Sequence, residues 1–269
     1  MEKNMRIVMI AVAVITLILV ISLVSVITIN LNNSNDSDVF NEDSYNLTDD
    51  EVSLLISLTS IYDSYLITFD GTKNISDLSD LEKLNFIDRL PFEVKQELDL
   101  DFDSGVSLKR IEDILKKYFG KDITFSPVNA VCFLDDGDSL IYDSNTKMYK
   151  ENSDYHAHGA YMPLSIENYY VEGKRIVDND KLVYIITLKK AMALPNTSIY
   201  YGNYTDLVNE RNVVVDLYEE NKDYENENVN DLIEPYKDEL TSYTYVFETR
   251  DSINNSYLTH FDKIDNKDV

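Results

Sequence analysis

The longest uninterrupted pattern in the chain is apolar: Ile7 to Ile29 reads IVMIAVAVITLILVISLVSVITI, without a charge, proline or glycine. As a helix rising about 1.5 Å per residue it would reach roughly 35 Å, enough for a hydrocarbon core of about 30 Å with some tilt. Thr16, Ser22, Ser25 and Thr28 can return their hydroxyl hydrogen bonds to the helix backbone. A cleaved secretory signal is shorter and ends in small residues, whereas β-branched residues close this run and no cysteine directly follows it to carry a lipid. The pattern therefore predicts an uncleaved transmembrane signal anchor within residues 1–30. Lys3 and Arg6 precede it, and Asp36, Asp38, Glu42 and Asp43 follow. That asymmetry leaves the amino end in the cytoplasm and sends the rest outside it.

Residues 31–47 are polar and charged, a solvated tether. From residue 48 to 269 the periodicity of a folded domain takes over. Thr48 stands three residues before Glu51, a capping box opening a helix whose Val52, Leu55, Ile56, Thr59 and Tyr62 share one face. A second helix runs from about Leu78 to Leu90 and stops at Pro91. A third, SLKRIEDILKKYFG, has Leu108, Ile111, Leu115 and Tyr118 at helical spacing, Ser107 as cap and Gly120 past its end.

Beyond Gly120 the period shortens to that of strands. VNAVCFL is strand-like, and LIYD and KMYKE flank the turn DSNT as a hairpin. IENYYVEGKRIV and KLVYIITLKKAMA flank DNDK, and the second is apolar on both faces around Val183 to Leu188, as a central strand should be. DLYEENKDYENENVND is an acidic excursion, followed by a short helix around Pro235. YTYVFETR and SYLTHFDKI close the chain, with Tyr243, Tyr245, Phe247 and Thr249 alternating to one face. Helices first and antiparallel strands afterwards imply an α+β domain behind an N-terminal transmembrane helix, its helices packed on one face of a curved sheet. A cystatin-like or NTF2-like cone is the expected form.

Composition changes this picture mainly by exclusion. The formal charge is −25, and residues 1–29 contribute one positive unit to it, so the outer part is more acidic still. Such a surface repels phosphate backbones and anionic headgroups, which excludes nucleic acid as a partner while admitting divalent cations or a basic protein surface. Cys132 is the only cysteine, so neither an intrachain disulfide nor a thiolate cluster can form, and its apolar surroundings predict a buried, inert thiol.

The candidate chemistry centres on ENSDYHAHGAYM, Glu151 to Met162. If residues 154–158 are extended, Asp154, His156 and His158 project to one side, and two imidazoles with a carboxylate could hold Zn²⁺ with a fourth position open. His260 would serve as a further ligand if the final strand ran beside this loop. Against that, Ala160 and Tyr161 stand where a metallo-β-lactamase-like HxHxDH needs Asp and His, Glu167 is too distant for a cupin-like set, and Asn152 and Gly159 suggest a turn-rich loop.

DLDFDSGVSLKRIE resembles a calcium-binding EF-hand loop, with Asp101, Asp103, Leu108 and Glu112 at its first, third, eighth and twelfth positions. It has Gly105 and Val106 at the fifth and sixth, where an oxygen ligand and a glycine are needed. The plain alternative is an acidic helix-capping loop. DDGD, Asp135 to Asp138, is a turn. Tyr142, Tyr149, Tyr155, Tyr161, Tyr169 and Tyr170 could form a sugar- or peptide-binding face or simply pack a sheet. The chain has no serine nucleophile elbow, no Cys–His pair and no phosphate-cradling glycine loop.

Taken together, KKYFG from Lys116, YDSNTKMY from Tyr142 and HAHG from His156 resemble a pattern in N-terminally anchored exported proteins of AT-rich Gram-positive bacteria. The resemblance implies a location and no chemistry. The expectation is a single-pass membrane protein presenting a non-catalytic, cofactor-free α+β module outside the membrane to a protein or cell-wall partner. Two alternatives stand beside it: a Zn- or Ca-binding protein or metal-dependent hydrolase using Asp154, His156 and His158, and a structural subunit of an envelope complex.

Overall fold

Thr48 opens the first helix, α1 (Asp49–Leu66), as its spacing to Glu51 requires: the Thr48 hydroxyl accepts from the Glu51 N–H at 3.3 Å, and Glu51 accepts from the Thr48 N–H at 2.9 Å. The structure, a computed structural model, describes residues 44–69, 71–131, 137–153, 165–178, 181–194, 197–220, 228–249 and 251–264. The apolar run Ile7–Ile29 lies outside them. Among the described residues no helix is long and apolar enough to cross a membrane.

A second capping box, Ser79 with Glu82, opens α2 (Asp80–Asp88). The helix expected from Leu78 is thus shorter at both ends, and Pro91 does more than stop it. Pro91 caps a further helix, α3 (Phe92–Glu97), because its fixed φ suits a helix start and it has no N–H to leave unpaired. α4 (Leu108–Phe119) buries Ile111, Ile114, Leu115, Tyr118 and Phe119. It ends where Gly120 adopts a φ of 89°, and a Cβ there would sit 2.7 Å from the Tyr257 ring, so glycine is required twice over.

Four long antiparallel strands build the main sheet in the order β7 (Ser165–Asp178), β8 (Lys181–Ala193), β11 (Ser242–Thr249), β12 (Tyr257–Ile264). Short strands border it: β1 (Ser44–Asn46) on β7 and β2 (Thr72–Asn74) on β12. β9 (Ile199–Tyr201) pairs with the end of β8 and with β10 (Val213–Asp216), and α5 (Tyr204–Val208) lies between these two in the chain. A smaller sheet runs β3 (Val106–Ser107), β6 (Met148–Glu151), β5 (Asp138–Asp143), β4 (Ala130–Val131). The protein is therefore a mixed α+β structure with antiparallel sheets.

Period-two alternation fixes which side chains face the helices. Tyr243, Tyr245 and Phe247 on β11 are wholly buried, and on β8 Tyr184, Ile186, Leu188, Lys190 and Met192 occupy the same side. These inner faces, α1, α2, α4 and the smaller sheet enclose one core. On the outer face, Tyr169 and Ala191 meet Tyr200, Val215, Leu232 and Ile233 in a second cluster. Leu232 and Ile233 belong to α6 (Val229–Ile233), which a 3₁₀ segment, Glu234–Glu239, continues.

Two expectations change in detail, and one strand carries a bulge. The polar stretch read as a tether ends in strand β1, whose Tyr45 lies opposite Arg175, because the open edge of β7 offers backbone partners that no side-chain pattern reveals. VNAVCFL supplies only Ala130 and Val131 to a described strand, and Cys132 and Asp135 lie outside the described residues. On β12 a register shift separates the pairs Val246–His260 and Phe247–Leu258. The extra residue, Thr259, lets Leu258 enter the core while His260 faces the outer side with Val246.

The two capping boxes make a prediction. Burial would raise the Glu51 carboxyl, but hydrogen bonds from Thr48 and the charge of Arg175 hold it below its ordinary value of 4.5, and Ser79 and Lys73 do the same for Glu82. Carboxyls lowered by folding add stability above their unfolded values and lose it as pH falls through their folded ones. Thr48→Ala with Ser79→Ala should cost about 2 kcal/mol at pH 7, roughly 1 per cap. In urea unfolding that deficit should shrink below pH 4.5. A deficit that does not change with pH would show that the boxes are not charge-assisted.

Candidate functional site

The largest departure from ordinary core chemistry is a charge in the middle of it. Lys190 is wholly buried, and its Nζ donates to Asp63 Oδ2 at 2.8 Å and to Asn168 Oδ1 at 2.5 Å. The Tyr245 hydroxyl donates to Asp63 Oδ1 at 2.5 Å, and its ring lies 5.3 Å from the Lys190 Nζ. Asp63 is 2% exposed. Four elements meet in this network: α1 brings Asp63, β7 Asn168, β8 Lys190 and β11 Tyr245.

Burial lowers the Lys190 ammonium from its ordinary value, with Asp63 opposing the shift. Burial also pushes the Tyr245 hydroxyl well up, followed by the Asp63 charge and hydrogen bond, so the phenol keeps its proton and donates it. A lysine without solvent contact, engaged by a carboxylate and an amide, has no approach for a substrate carbonyl. Its geometry serves cohesion: it ties one helix to three strands through directional bonds, and each partner has a use for its polar atoms.

Sequence reasoning missed this network although half of its signal was present. Asp63 follows Leu55, Thr59 and Tyr62 on the buried face of α1, and the Lys189–Lys190 pair in a strand apolar on both faces must turn one ammonium inward. What the sequence did not supply was the register that sets Lys190 beside Asp63, which is 127 residues away in the chain.

Asp154, His156 and His158 lie outside the described residues. Among the described residues no group of three or more His, Cys, Asp or Glu could hold a metal ion. His260 is half-buried on β12, and its Nδ1 sits 3.0 Å from Asn74 Oδ1 on the neighbouring β2. Desolvation lowers its pKa, with Asp262 opposing.

The EF-hand-like segment is put to another use. The Asp101 carboxylate accepts from the Asp103 N–H at 3.1 Å, the Ser104 N–H at 3.3 Å and the Ser104 hydroxyl at 2.6 Å, so it caps its own turn. Val106, at the position needing glycine, is buried in β3 opposite Tyr149. The chain consequently leaves this turn as a strand and does not wrap around a central point. The neighbouring Asp103 carboxyl raises the Glu151 carboxyl, with burial and the charge of Asp88 adding to the effect and Lys95 opposing it.

Among the described residues the tyrosines of this set divide rather than form one face. Tyr149 is buried and packs against Tyr142 with ring centroids 5.0 Å apart. Tyr169 is buried on the outer side of β7, whereas Tyr170 is 46% exposed on its inner rim. Tyr155 and Tyr161 lie outside the described residues. No protein-family model, curated protein or solved structure matches this chain.

Proposed function

We propose that the chain is a single-pass membrane protein, its amino end in the cytoplasm, presenting an acidic α+β module outside the membrane to bind a protein or wall component without catalysis. The carrying observation is the charge-free run Ile7–Ile29, flanked by Lys3 and Arg6 on one side and by acidic residues on the other. The internal use of the buried lysine supports the non-catalytic reading, because that ammonium is spent on Asp63 and Asn168. The cystatin-like or NTF2-like cone belongs to the same reading, with the partly closed edge of β7 left for a partner. A structural role in an envelope complex uses the same surfaces and differs only in permanence.

The test pairs two measurements on the full chain. Chemical crosslinking in intact membranes followed by purification should recover the chain with a partner in constant ratio, and elemental analysis should find neither zinc nor calcium near one ion per chain. One zinc per chain, lost in a His156→Ala, His158→Ala variant, would overturn the reading in favour of the metal-binding alternative. A chain that crosslinks to no partner would remove the binding role.

A further inference from the structure

The main sheet has one long edge that is only partly closed. β7 spans Ser165–Asp178, yet β1 pairs with it only at Lys174, Arg175 and Ile176. On the side away from β8, no described strand pairs with the stretch from Ser165 to Gly173. Such an edge presents a row of backbone donors and acceptors able to take up another strand. Its sequence, SIENYYVEG, is rich in β-branched and aromatic residues. Tyr170 and Val171 are exposed there, at 46% and 47%.

The two sides of this edge differ chemically. Residues facing the core side, by their pairing with Met192, Lys190 and Leu188, are Ile166, Asn168 and Tyr170. Residues on the outer side, paired with Ala191, Lys189 and Thr187, are Glu167, Tyr169 and Glu172. The Tyr169 hydroxyl donates to the Asn230 carbonyl at 3.0 Å, which fixes α6 and its continuation against the same side. Burial first, then the charges of Glu167, Glu234 and Asp231, push the Tyr169 hydroxyl above its usual range, so these three carboxylates gather around the stretch. Burial likewise raises the Glu167 carboxyl. An added strand would thus meet carboxylates with one set of alternate side chains and an apolar rim with the other.

We propose that the β7 edge from Ser165 to Glu172 binds an extended basic peptide segment of a partner protein as an added strand, its cationic side chains toward Glu167 and Glu172 and its apolar ones toward Tyr170 and Ile166. Charge decides the occupant. In a chain of net charge −25, a second copy pairing edge to edge would set Glu167 and Glu172 against their own counterparts, whereas lysine or arginine side chains complement both. This inference rests on the reading of the chain as a binding module and names the chemical class of its partner.

The test uses the full chain in detergent micelles and a fluorescein-labelled, end-blocked peptide of four Lys-Val repeats, followed by anisotropy. Two further peptides carry N-methyl groups on one or the other alternate set of amides. Strand addition predicts saturable binding, at least tenfold weaker for one methylated frame and little changed for the other, because only one set of amides faces β7. Glu172→Lys should weaken binding at least fivefold, and bound peptide should slow amide hydrogen exchange across residues 165–172 at least fivefold. No binding would overturn the proposal, as would binding indifferent to methylation frame or to Glu172→Lys, or protection of the same amides by dimerisation without peptide. If the peptide fails while a crosslinked partner is still recovered, the edge is refuted and the binding module survives. If both fail, the module reading falls with it.

Discussion

Replacing Lys190 by methionine is expected to cost about 3–5 kcal/mol of folding stability, the loss typical of breaking a buried ion pair by removing one partner. Asp63 would be left at 2% exposure without its cationic partner, and Asn168 Oδ1 would lose its donor. The same principle sets a control. Lys190→Met combined with Asp63→Leu, Asn168→Leu and Tyr245→Phe removes the charges together with the polar groups they would leave unpaired, and should return to within about 1 kcal/mol of the wild type, because the desolvation of two ions is no longer incurred. Urea unfolding followed by circular dichroism measures both. A Lys190→Met variant within about 1 kcal/mol of the wild type would show that water reaches this site or that the pair is not formed.

Tyr62→Ala should be comparably damaging, at about 3–5 kcal/mol, from lost burial and the cavity left behind. The Tyr62 ring is wholly buried, with its centroid 5.7 Å from Phe86, 5.9 Å from Tyr118, 6.1 Å from Phe119 and 5.7 Å from Phe247. It therefore joins three helices to the sheet. Its hydroxyl donates to the Tyr118 carbonyl at 2.8 Å, in the last turn of α4. Tyr62→Phe keeps the ring and leaves that carbonyl without this donor, for an expected cost of about 1–3 kcal/mol. If the two variants lost equal stability, the hydroxyl rather than the aromatic packing would be the term that matters.

Local rules carried much of the fold. Thr48 and Glu51 announce α1 because a cap needs only residues three apart, and Gly120 announces the end of α4 because the backbone there turns to positive φ. Tyr243, Tyr245, Phe247 and Thr249 declare the inner face of β11 through alternation alone. What local rules missed depends on contacts distant in sequence. β1 is a strand because β7 stands beside it, not because SYN has strand character. The bulge at Thr259 is set by pairing with β11, and the Lys190–Asp63 bridge by the register of β8 against α1. The metal candidates Asp154, His156 and His158 were conspicuous because histidine is scarce in this chain, and they fall outside the described residues. The open edge of β7 has no side-chain signature at all, since an unpaired backbone is defined by a missing neighbour.

The central claim is that Ile7–Ile29 sits in a membrane and delivers the acidic module to its far side. Protease added to intact cells producing the full chain, with one epitope ahead of Lys3 and another after Val269, tests it most directly. The account predicts that the epitope after Val269 is lost while the one ahead of Lys3 survives in a membrane-bound fragment until the cells are opened. Survival of both epitopes in intact cells, with the chain released into the soluble fraction on lysis, would contradict it.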